Sequence, residues 1–334
     1  MKAAIVGCGA VGSFYGGLLH RTGVETYFLL RSDYAQVAAQ GVHIQSVDGD
    51  WSFRPHAAQR PEDIGPCDLV VIALKATANR EAYPALLPPL VGKDTLVLTL
   101  QNGLGNVEAL ASLFGAEKIL GGLCFVCLNR VAPGVIRHLA HGRVMLGEFQ
   151  RPALPRTHAL AARFQQGGVP CEVTDNLNLA LWKKLVWNIP FNGLGVAGAA
   201  GYEAVVTGQW KPSQPLGPCL STRALLQDPR WLALVREIML EVIHAARLQN
   251  LDIPESWADE NIERTRVMGD YHASTLIDFT EGRLLEIEAL FLEPLRRARA
   301  AGAECPRLDA LCRVLQQLEA ARIKTTRTPH AVGG

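Results

Sequence analysis

The sequence has little excess charge and no long apolar run. Its 334 residues carry 33 Lys and Arg against 32 Asp and Glu, which leaves a formal net charge of +1. Such a balance creates no broad electrostatic field for a polyanion, so nucleic acid is not expected as the main partner. No stretch approaches the roughly 18 consecutive apolar residues of a transmembrane helix, so no membrane span is predicted.

Cysteine is sparse as well. Eight cysteines in a chain of this length are too dilute for a disulfide scaffold, so we expect a reducing compartment, the cytoplasm. Cys124 and Cys127 form a CxxC pair, which could be redox-active or supply half of a zinc site. No second CxxC and no histidine pair at ligand spacing completes such a site, and the flanking residues are apolar. Two small buried side chains are therefore favoured, and no metal is predicted.

Apolar residues, 49% of the chain, are sufficient for two domain cores. The first half alternates short apolar runs, at 3–6, 24–30, 68–74 and 96–100, with segments long enough for helices. This order is typical of a parallel sheet with helices on both faces. The second half shows helical spacing at 177–191, 231–248 and 284–300, with a proline-rich loop at 209–218. We predict an α/β domain at 1–174, an all-α domain at 175–325 and a tail at 326–334.

A glycine-rich turn follows the first predicted strand and opens a helix. It consists of Gly7, Cys8, Gly9, Ala10, Val11 and Gly12, a GxGxxG pattern. Gly7 permits the tight turn, Gly9 lets the backbone approach a pyrophosphate, and Gly12 allows the helix to pack on the strand. The pattern alone could mark a structural turn. Its place between strand and helix favours dinucleotide binding.

Arg31 stands where the second predicted strand ends. An NAD site usually has Asp or Glu near this point for the ribose 2′-hydroxyl. A guanidinium grips a 2′-phosphate instead, so Arg31 favours NADP(H), although a solvent-facing arginine is the alternative. Lys75 and Asn102 follow the third and fourth strands. Since ligands lie beyond the carboxyl ends of parallel strands, these residues are also predicted to bind the cofactor.

Lys184, Asn188 and Asn192 recur at every fourth position of an otherwise apolar predicted helix. A buried polar stripe needs a ligand or an internal network, and the alternative is an ion pair of Lys184 with a carboxylate. Ser274, Asp278 and Glu286 form a further polar group. A carboxylate near a helix start can simply complement the helix dipole, so Glu286 alone is weak evidence.

These segments together resemble the ketopantoate reductase (2-dehydropantoate 2-reductase) family over nearly the whole chain. The resemblance rests on GCGAVG, LLRS, LKAT, QNGLGN, a segment ending at Glu148, WKKLVWNIPFN and the spacing from Ser274 to Glu286. It implies a Rossmann domain, an all-α C-terminal domain like that of 6-phosphogluconate dehydrogenase, and NADPH in a cleft between them. It also implies the site roles: Lys184 and Glu286 catalytic, Asn188, Asn192 and Ser274 on the substrate, Lys75 and Asn102 on the cofactor.

The chain departs from the family's pattern around Glu286. The family usually has Thr before this glutamate and an Asp-x-x-Asn-Gly pattern after it, where this chain has Leu285 and the residues 288–292 (EALFL). The loop at 209–221 is longer than usual, and the amide that the family has near the position of Tyr202 is not evident. Three functions therefore stay open: NADPH-dependent reduction of ketopantoate or a similar small 2-keto acid, an opine-type NADP dehydrogenase acting on another keto or imino acid, and a non-catalytic NADP sensor. The apolar helices also suggest a homodimer.

Overall fold

The computed structural model describes residues 1–327, with side chains described as far as residue 323. The chain divides into two compact units, one of Met1–Ala180 and one that begins at Leu181. The predicted domain boundaries at 174 and 325 stay a prediction. Most of the predicted tail lies outside the described residues, while 326 and 327 end the last helix, Pro306–Arg327.

The first unit is built on one ten-stranded sheet. The strands are β1 (Lys2–Val6), β2 (Glu25–Leu29), β3 (Val42–Ser46), β4 (Trp51–Phe53), β5 (His56–Ala58), β6 (Cys67–Ile72), β7 (Val91–Thr99), β8 (Ile119–Ala132), β9 (Val135–Glu148) and β10 (Cys171–Thr174). Their order is β4-β3-β9-β8-β7-β6-β1-β2-β5, and β10 pairs with β9. Only β3–β4 and β8–β9 are antiparallel among these pairs, so the predicted parallel-dominated Rossmann-type sheet is confirmed.

Helices connect the strands of the first unit. They are α1 (Ala10–Arg21), α2 (Tyr34–Gln40), α3 (Asn79–Leu86), α4 (Asn106–Phe114) and α5 (Pro155–Gly167). Large apolar side chains fill the space between helices and sheet, among them Phe14, Tyr15, Phe28 and Phe164. Each contributes about 1.5–3 kcal/mol by leaving water. The helix positions follow from this burial more than from intrinsic propensity.

The four predicted strands correspond to β1, β2, β6 and β7, and the other six strands were not predicted. The strand β8 does contain an apolar run, at 123–128, but this run was interpreted through its CxxC pair and not as a strand. The hairpin β8–β9 also carries Arg130, Arg137 and Arg143 at partly or fully exposed positions. The strands β3, β4, β5 and β10 have only three to five residues, which is too short for a clear alternation. These short strands are defined by their hydrogen bonds to neighbouring strands, which a local sequence pattern does not reveal.

The second unit is helical, as predicted. Its helices are α6 (Leu177–Ala197), which begins in the first unit, then α7 (Tyr202–Thr207), α8 (Thr222–Gln227), α9 (Pro229–Arg247), α10 (Ser256–Arg266), α11 (Ser274–Thr280), α12 (Glu293–Ala300) and α13 (Pro306–Arg327). The segment 209–218 is a loop, as its prolines predicted. Within the described residues, no helix has the length and apolarity needed to cross a bilayer.

The predicted helix at 284–300 differs in its first half. Residues 283–286 are not helical, and a π-helical turn occupies Glu288–Leu292 before α12 begins. The backbone N–H of Leu285 donates to Glu319 Oε1 at 3.0 Å. The N–H group of Leu285 is therefore bonded to a distant side chain and not to a helical carbonyl. Apolar spacing cannot indicate a contact between residues 34 positions apart in the sequence.

A buried ion pair joins β9 to α5. The Glu148 side chain is 0% exposed and accepts from Arg156 Nε at 2.9 Å and from Arg156 Nη2 at 2.6 Å. Thr157 Oγ1 donates to the same carboxylate at 2.5 Å. Removing one partner of such a pair leaves a buried charge without compensation.

We therefore expect Arg156→Met to lower the free energy of unfolding by about 3 kcal/mol, at the low end of the usual range because Arg156 is partly exposed. The control is Arg60→Met, whose ion pair with Glu62 is largely exposed and should cost less than about 1 kcal/mol. Urea unfolding followed by circular dichroism measures both changes. Equal small losses would show that the Glu148 pair is not a stabilising anchor.

Candidate functional site

The carboxyl ends of four strands meet at one edge of the first unit's sheet. In the parallel registers, Val6 lies beside Leu29 and Ile72, and Ile72 lies beside Thr99. The segments that follow these strands therefore emerge side by side. They carry the residues predicted to bind a cofactor: the glycine turn, Arg31, Lys75 and Asn102.

The glycine turn is closed on two sides and open on one. Gly7 has φ +96°, and a Cβ there would lie 2.4 Å from the backbone N of Leu74. A Cβ at Gly12 would lie 2.2 Å from the carbonyl oxygen of Gly7. At Gly9, by contrast, a Cβ would meet no described atom within 4 Å. Gly9 is the N-cap of α1, so this open space adjoins the backbone N–H groups at the start of a helix, where anions bind favourably.

The Cys8 side chain points into the protein rather than towards that space. Its thiol donates to the carbonyl oxygens of Ile5 at 3.3 Å and Leu29 at 3.5 Å. Burial raises the pKa of the thiol well above its usual value, which keeps it neutral. Ala10 and Val11 pack against the hydrophobic core. In this turn, Cys8 can therefore offer a ligand only its backbone.

Arg31 is exposed at the end of β2. Among the side chains described, which extend to residue 323, its guanidinium is in no ion pair, which distinguishes it from many other arginines of the chain. An exposed guanidinium of this kind presents paired N–H donors that match a phosphate.

Gln101 joins the two segments that carry Lys75 and Asn102. Its Nε2 donates to the carbonyl oxygen of Leu74 at 2.9 Å and to Asn79 Oδ1 at 2.6 Å. The Tyr83 hydroxyl donates to Gln101 Oε1 at 2.5 Å. The residue before Lys75 is thus tied to the residue before Asn102. Sequence reasoning missed Gln101, because only the parallel pairing of β6 with β7 places it beside Leu74.

A second pair of amides holds the backbone of Asn102. Asn79 Nδ2 donates to Asn106 Oδ1 at 2.8 Å, and Asn106 Nδ2 donates to the carbonyl oxygen of Asn102 at 3.0 Å. Gly103 and Gly105, with φ of +88° and +90°, turn the chain between Asn102 and α4. The loop is therefore shaped by hydrogen bonds before any ligand binds.

In the second unit, α6 carries the predicted polar stripe. Lys184 is partly exposed, and Asn188 and Asn192 are buried, at 8% and 3% exposure. Lys183 lies elsewhere on the helix, with its Nζ 5.5 Å from the centroid of the Trp257 ring. The neighbouring lysines are thus in different surroundings, and only Lys184 shares a side of the helix with the asparagines.

Asn192 connects α6 to the start of α11. Its Oδ1 accepts from Ser274 Oγ at 3.3 Å, from the backbone N of Thr275 at 3.1 Å and from Thr275 Oγ1 at 3.0 Å. Ser274 is thereby placed beside the polar stripe, 82 residues from Asn192 in the chain. Oδ1 already accepts three hydrogen bonds from α11, so a hydrogen bond between Asn192 and a ligand would be donated by Nδ2. Sequence reasoning missed Thr275, which gave no motif signal.

The Trp187 side chain forms a hydrogen bond between α6 and α10 of the second unit. Trp187 Nε1 donates to Thr265 Oγ1 at 2.8 Å, and the Trp187 ring lies 5.0 Å from that of Phe191 and 6.3 Å from that of Tyr271. These contacts hold the helix between Lys184 and Asn188 against its neighbours. The stripe therefore rests on a rigid support.

Glu286 is buried and directly precedes the helical segment that contains the π-helical turn. Its carbonyl oxygen accepts from the backbone N of Leu290 at 3.1 Å, and its neighbour Leu285 is anchored on Glu319. π-Helical turns are rare and frequently occur at functional sites. The backbone at Glu286 is thus firmly held, and its catalytic role stays a prediction.

The CxxC pair lies on β8. Cys124, which is partly buried, is opposite Val144, and Cys127, which is buried, is opposite Ala140 of β9. Among the residues that the structure describes, no group of three His, Cys, Asp or Glu side chains could hold a metal ion. The pair therefore lies within the β8–β9 hairpin of the sheet.

Both units match models of one protein family. The model "Ketopantoate reductase PanE/ApbA" matches residues 3–151, and "Ketopantoate reductase PanE/ApbA C terminal" matches 176–319. A 2-dehydropantoate 2-reductase of Nostoc sp. is 37% identical over 324 residues, 95% of each chain. The crystal structure of 2-dehydropantoate 2-reductase from Geobacter metallireducens GS-15 is 44% identical, with a TM-score of 0.86 over 95% of this chain and 99% of that one. That from Methylococcus capsulatus is 30% identical, with a TM-score of 0.85 over 98% and 99%.

The bonds at Asn192 predict a stability effect. Asn192→Leu removes the acceptor from three donors and should lower the free energy of unfolding by about 2 kcal/mol. Thr275→Val removes one of the three bonds and should cost only about 1 kcal/mol. Urea unfolding compares the two variants. An Asn192→Leu variant as stable as the parent chain would contradict a structural role for this amide.

Proposed function

This chain belongs to the ketopantoate reductase family, and from that premise we propose that it reduces ketopantoate to pantoate with NADPH. It is an oxidoreductase acting on a CH–OH group, in a family that uses NADH or NADPH. The observation that carries the proposal is the stripe on α6. One partly exposed lysine, Lys184, precedes two buried amides, Asn188 and Asn192, on one side of a helix.

The residues at the strand ends fit a phosphorylated dinucleotide. The open space at Gly9 admits a diphosphate to the N–H groups of α1, where the helix dipole favours negative charge. Exposed Arg31 is suited to the 2′-phosphate that distinguishes NADPH from NADH. Lys75 and Asn102 are held at the same edge and complete the proposed cofactor contacts. When bound, the cofactor supplies the hydride.

Lys184 is proposed to complete the reaction. Addition of hydride to C2 of the keto acid leaves negative charge on the carbonyl oxygen. The ammonium of Lys184 stabilises that charge and donates the proton that makes the hydroxyl group. Glu286 is proposed to orient either Lys184 or a hydroxyl of the substrate.

Asn188, Asn192 and Ser274 are proposed to hold the carboxylate and hydroxyl of the substrate. The bonds of Asn192 to the start of α11 fix two of these three groups relative to each other before substrate binds. Such preorganisation lowers the entropic cost of bringing C2 into position.

The residues on both sides of Glu286 differ from the family's usual pattern, so the substrate itself should be tested. Leu285 stands before Glu286, and residues 288–292, which form the π-helical turn, follow it. A related keto or imino acid is therefore the second candidate substrate. NADPH oxidation should be fastest with ketopantoate among branched 2-keto acids, measured with and without amines. Amine-dependent turnover would favour an opine-type enzyme, and tight NADPH binding without any turnover would favour a sensor.

Lys184→Ala should lower kcat by a factor of about 100 or more, because the developing charge loses its proton donor. NADPH binding should survive, since the proposed cofactor residues lie in the first unit. Lys183→Ala is the matched control, because this lysine packs over Trp257, and its kcat should stay within about twofold of the parent value. An equal loss of kcat and NADPH affinity in Lys184→Ala would refute the assigned role.

Substitutions at Gly9 and at Gly12 should have different effects on cofactor binding and on stability. Gly9→Ala adds a methyl group in open space, so the melting temperature should change little while NADPH binding weakens at least about tenfold. Gly12→Ala collides with the Gly7 carbonyl and should lower the melting temperature clearly. Thermal unfolding and cofactor fluorescence separate the effects. Unchanged NADPH affinity in Gly9→Ala would mean that no diphosphate lies on this turn.

A further inference from the structure

A carboxylate lies close to the proposed 2′-phosphate site. Asp33 comes two residues after Arg31, and its residue exposure is only 6%. A negative charge at this end of β2 ordinarily selects against the 2′-phosphate, because like charges repel strongly where water is scarce. The presence of Asp33 beside Arg31 therefore needs an explanation if the chain prefers NADPH.

The structure shows that both oxygens of Asp33 are already engaged. Arg130, near the end of β8, donates from Nε to Oδ2 at 2.8 Å and from Nη2 to Oδ1. The backbone N of Gly134 donates to Oδ2 at 3.1 Å, and Ser32 Oγ donates to Oδ1 at 2.9 Å. Burial raises the pKa of Asp33, but the hydrogen bonds from Arg130, Ser32 and Gly134 outweigh it and lower the pKa overall. Asp33 is thus ionised and paired.

The two arginines near this carboxylate differ in whether their guanidinium group is available to bind a phosphate. Arg130 is committed to Asp33 in a two-point pair across 97 residues of sequence. Arg31 is exposed and, among the residues described, is in no ion pair. With the pair intact, Asp33 and Arg130 cancel, and the charge of Arg31 is left over. Without Arg130, Asp33 would cancel Arg31 instead.

We propose that Arg130 is a specificity-determining positioning residue: by neutralising and holding Asp33, it lets Arg31 select NADPH over NADH. The inference rests on the proposed use of NADPH. Arg130 acts through Asp33, not through a contact with the cofactor. A purely structural pair, which only fastens the β8–β9 hairpin to the start of α2, would affect both cofactors equally.

The test is a double-mutant cycle on the full chain, with Arg130→Met, Asp33→Asn and both together. Dissociation constants for NADPH and NADH are measured by cofactor fluorescence, which needs no turnover. Arg130→Met should weaken NADPH binding about tenfold and leave NADH within about twofold, because the phosphate meets an unpaired carboxylate. Asp33→Asn/Arg130→Met should restore NADPH binding to within about threefold of the parent. The loss in Arg130→Met should shrink as salt is raised.

Parallel losses for NADPH and NADH in Arg130→Met, or a double variant that binds NADPH no better than Arg130→Met, would overturn the proposal. If Arg130→Met does not fold, Asp33→Asn alone decides. It keeps the shape of the side chain, removes the negative charge and leaves Arg130 cationic, so the preference for NADPH should rise at least about threefold. An unchanged preference overturns the proposal.

Arg31→Gln separates this inference from the proposed function. A parent chain without preference for NADPH would refute the proposed cofactor itself. If the parent prefers NADPH and Arg31→Gln abolishes the preference, the cofactor proposal stands, and a null result for the Arg130 cycle then removes only the role of Arg130.

Discussion

The parallel pairing of β1 with β2 and β6 is the constraint on which the candidate cofactor site depends. Because Val6 lies beside Leu29 and Ile72, three chain segments leave the sheet at one edge. This edge also carries the N-terminus of α1 and a glycine turn that a Cβ would block at Gly7 and Gly12 but not at Gly9. The parallel strands thus bring open space to the N–H groups at a helix start, a combination suited to an anionic ligand.

Hydrogen-bonded side chains then give this edge and the polar helix their rigidity. Gln101 ties two loops together in the first unit, and Asn192 ties two helices together in the second. Each is a buried amide whose bonds are made within its own unit. Such groups are costly if left unpaired, so they hold their neighbours in one arrangement. Both amides support residues proposed for binding and catalysis. Asn192 is itself one of the predicted substrate residues, whereas Gln101 was not identified from the sequence.

The charges near the proposed 2′-phosphate site likewise depend on contacts between residues that are distant in the sequence. Arg31 is evident in the sequence because it replaces an expected acid. Asp33 could equally have been taken for that acid. The arrangement is decided by Arg130 and Gly134, which belong to the β8–β9 hairpin and are distant in the chain. A local sequence window contains the acid but not its partner.

Local patterns were enough to predict the Rossmann-type sheet, the helical second unit, the glycine turn and the stripe of Lys184, Asn188 and Asn192. Each depends on spacing within a few residues, where helix and strand periods act directly. The hairpin β8–β9, the non-helical chain before Ile287, and the partners Gln101, Thr275 and Arg130 were decided by tertiary structure. Their positions depend on pairings between residues far apart in sequence, such as Ser274 with Asn192, and no periodicity specifies which distant donor meets which acceptor.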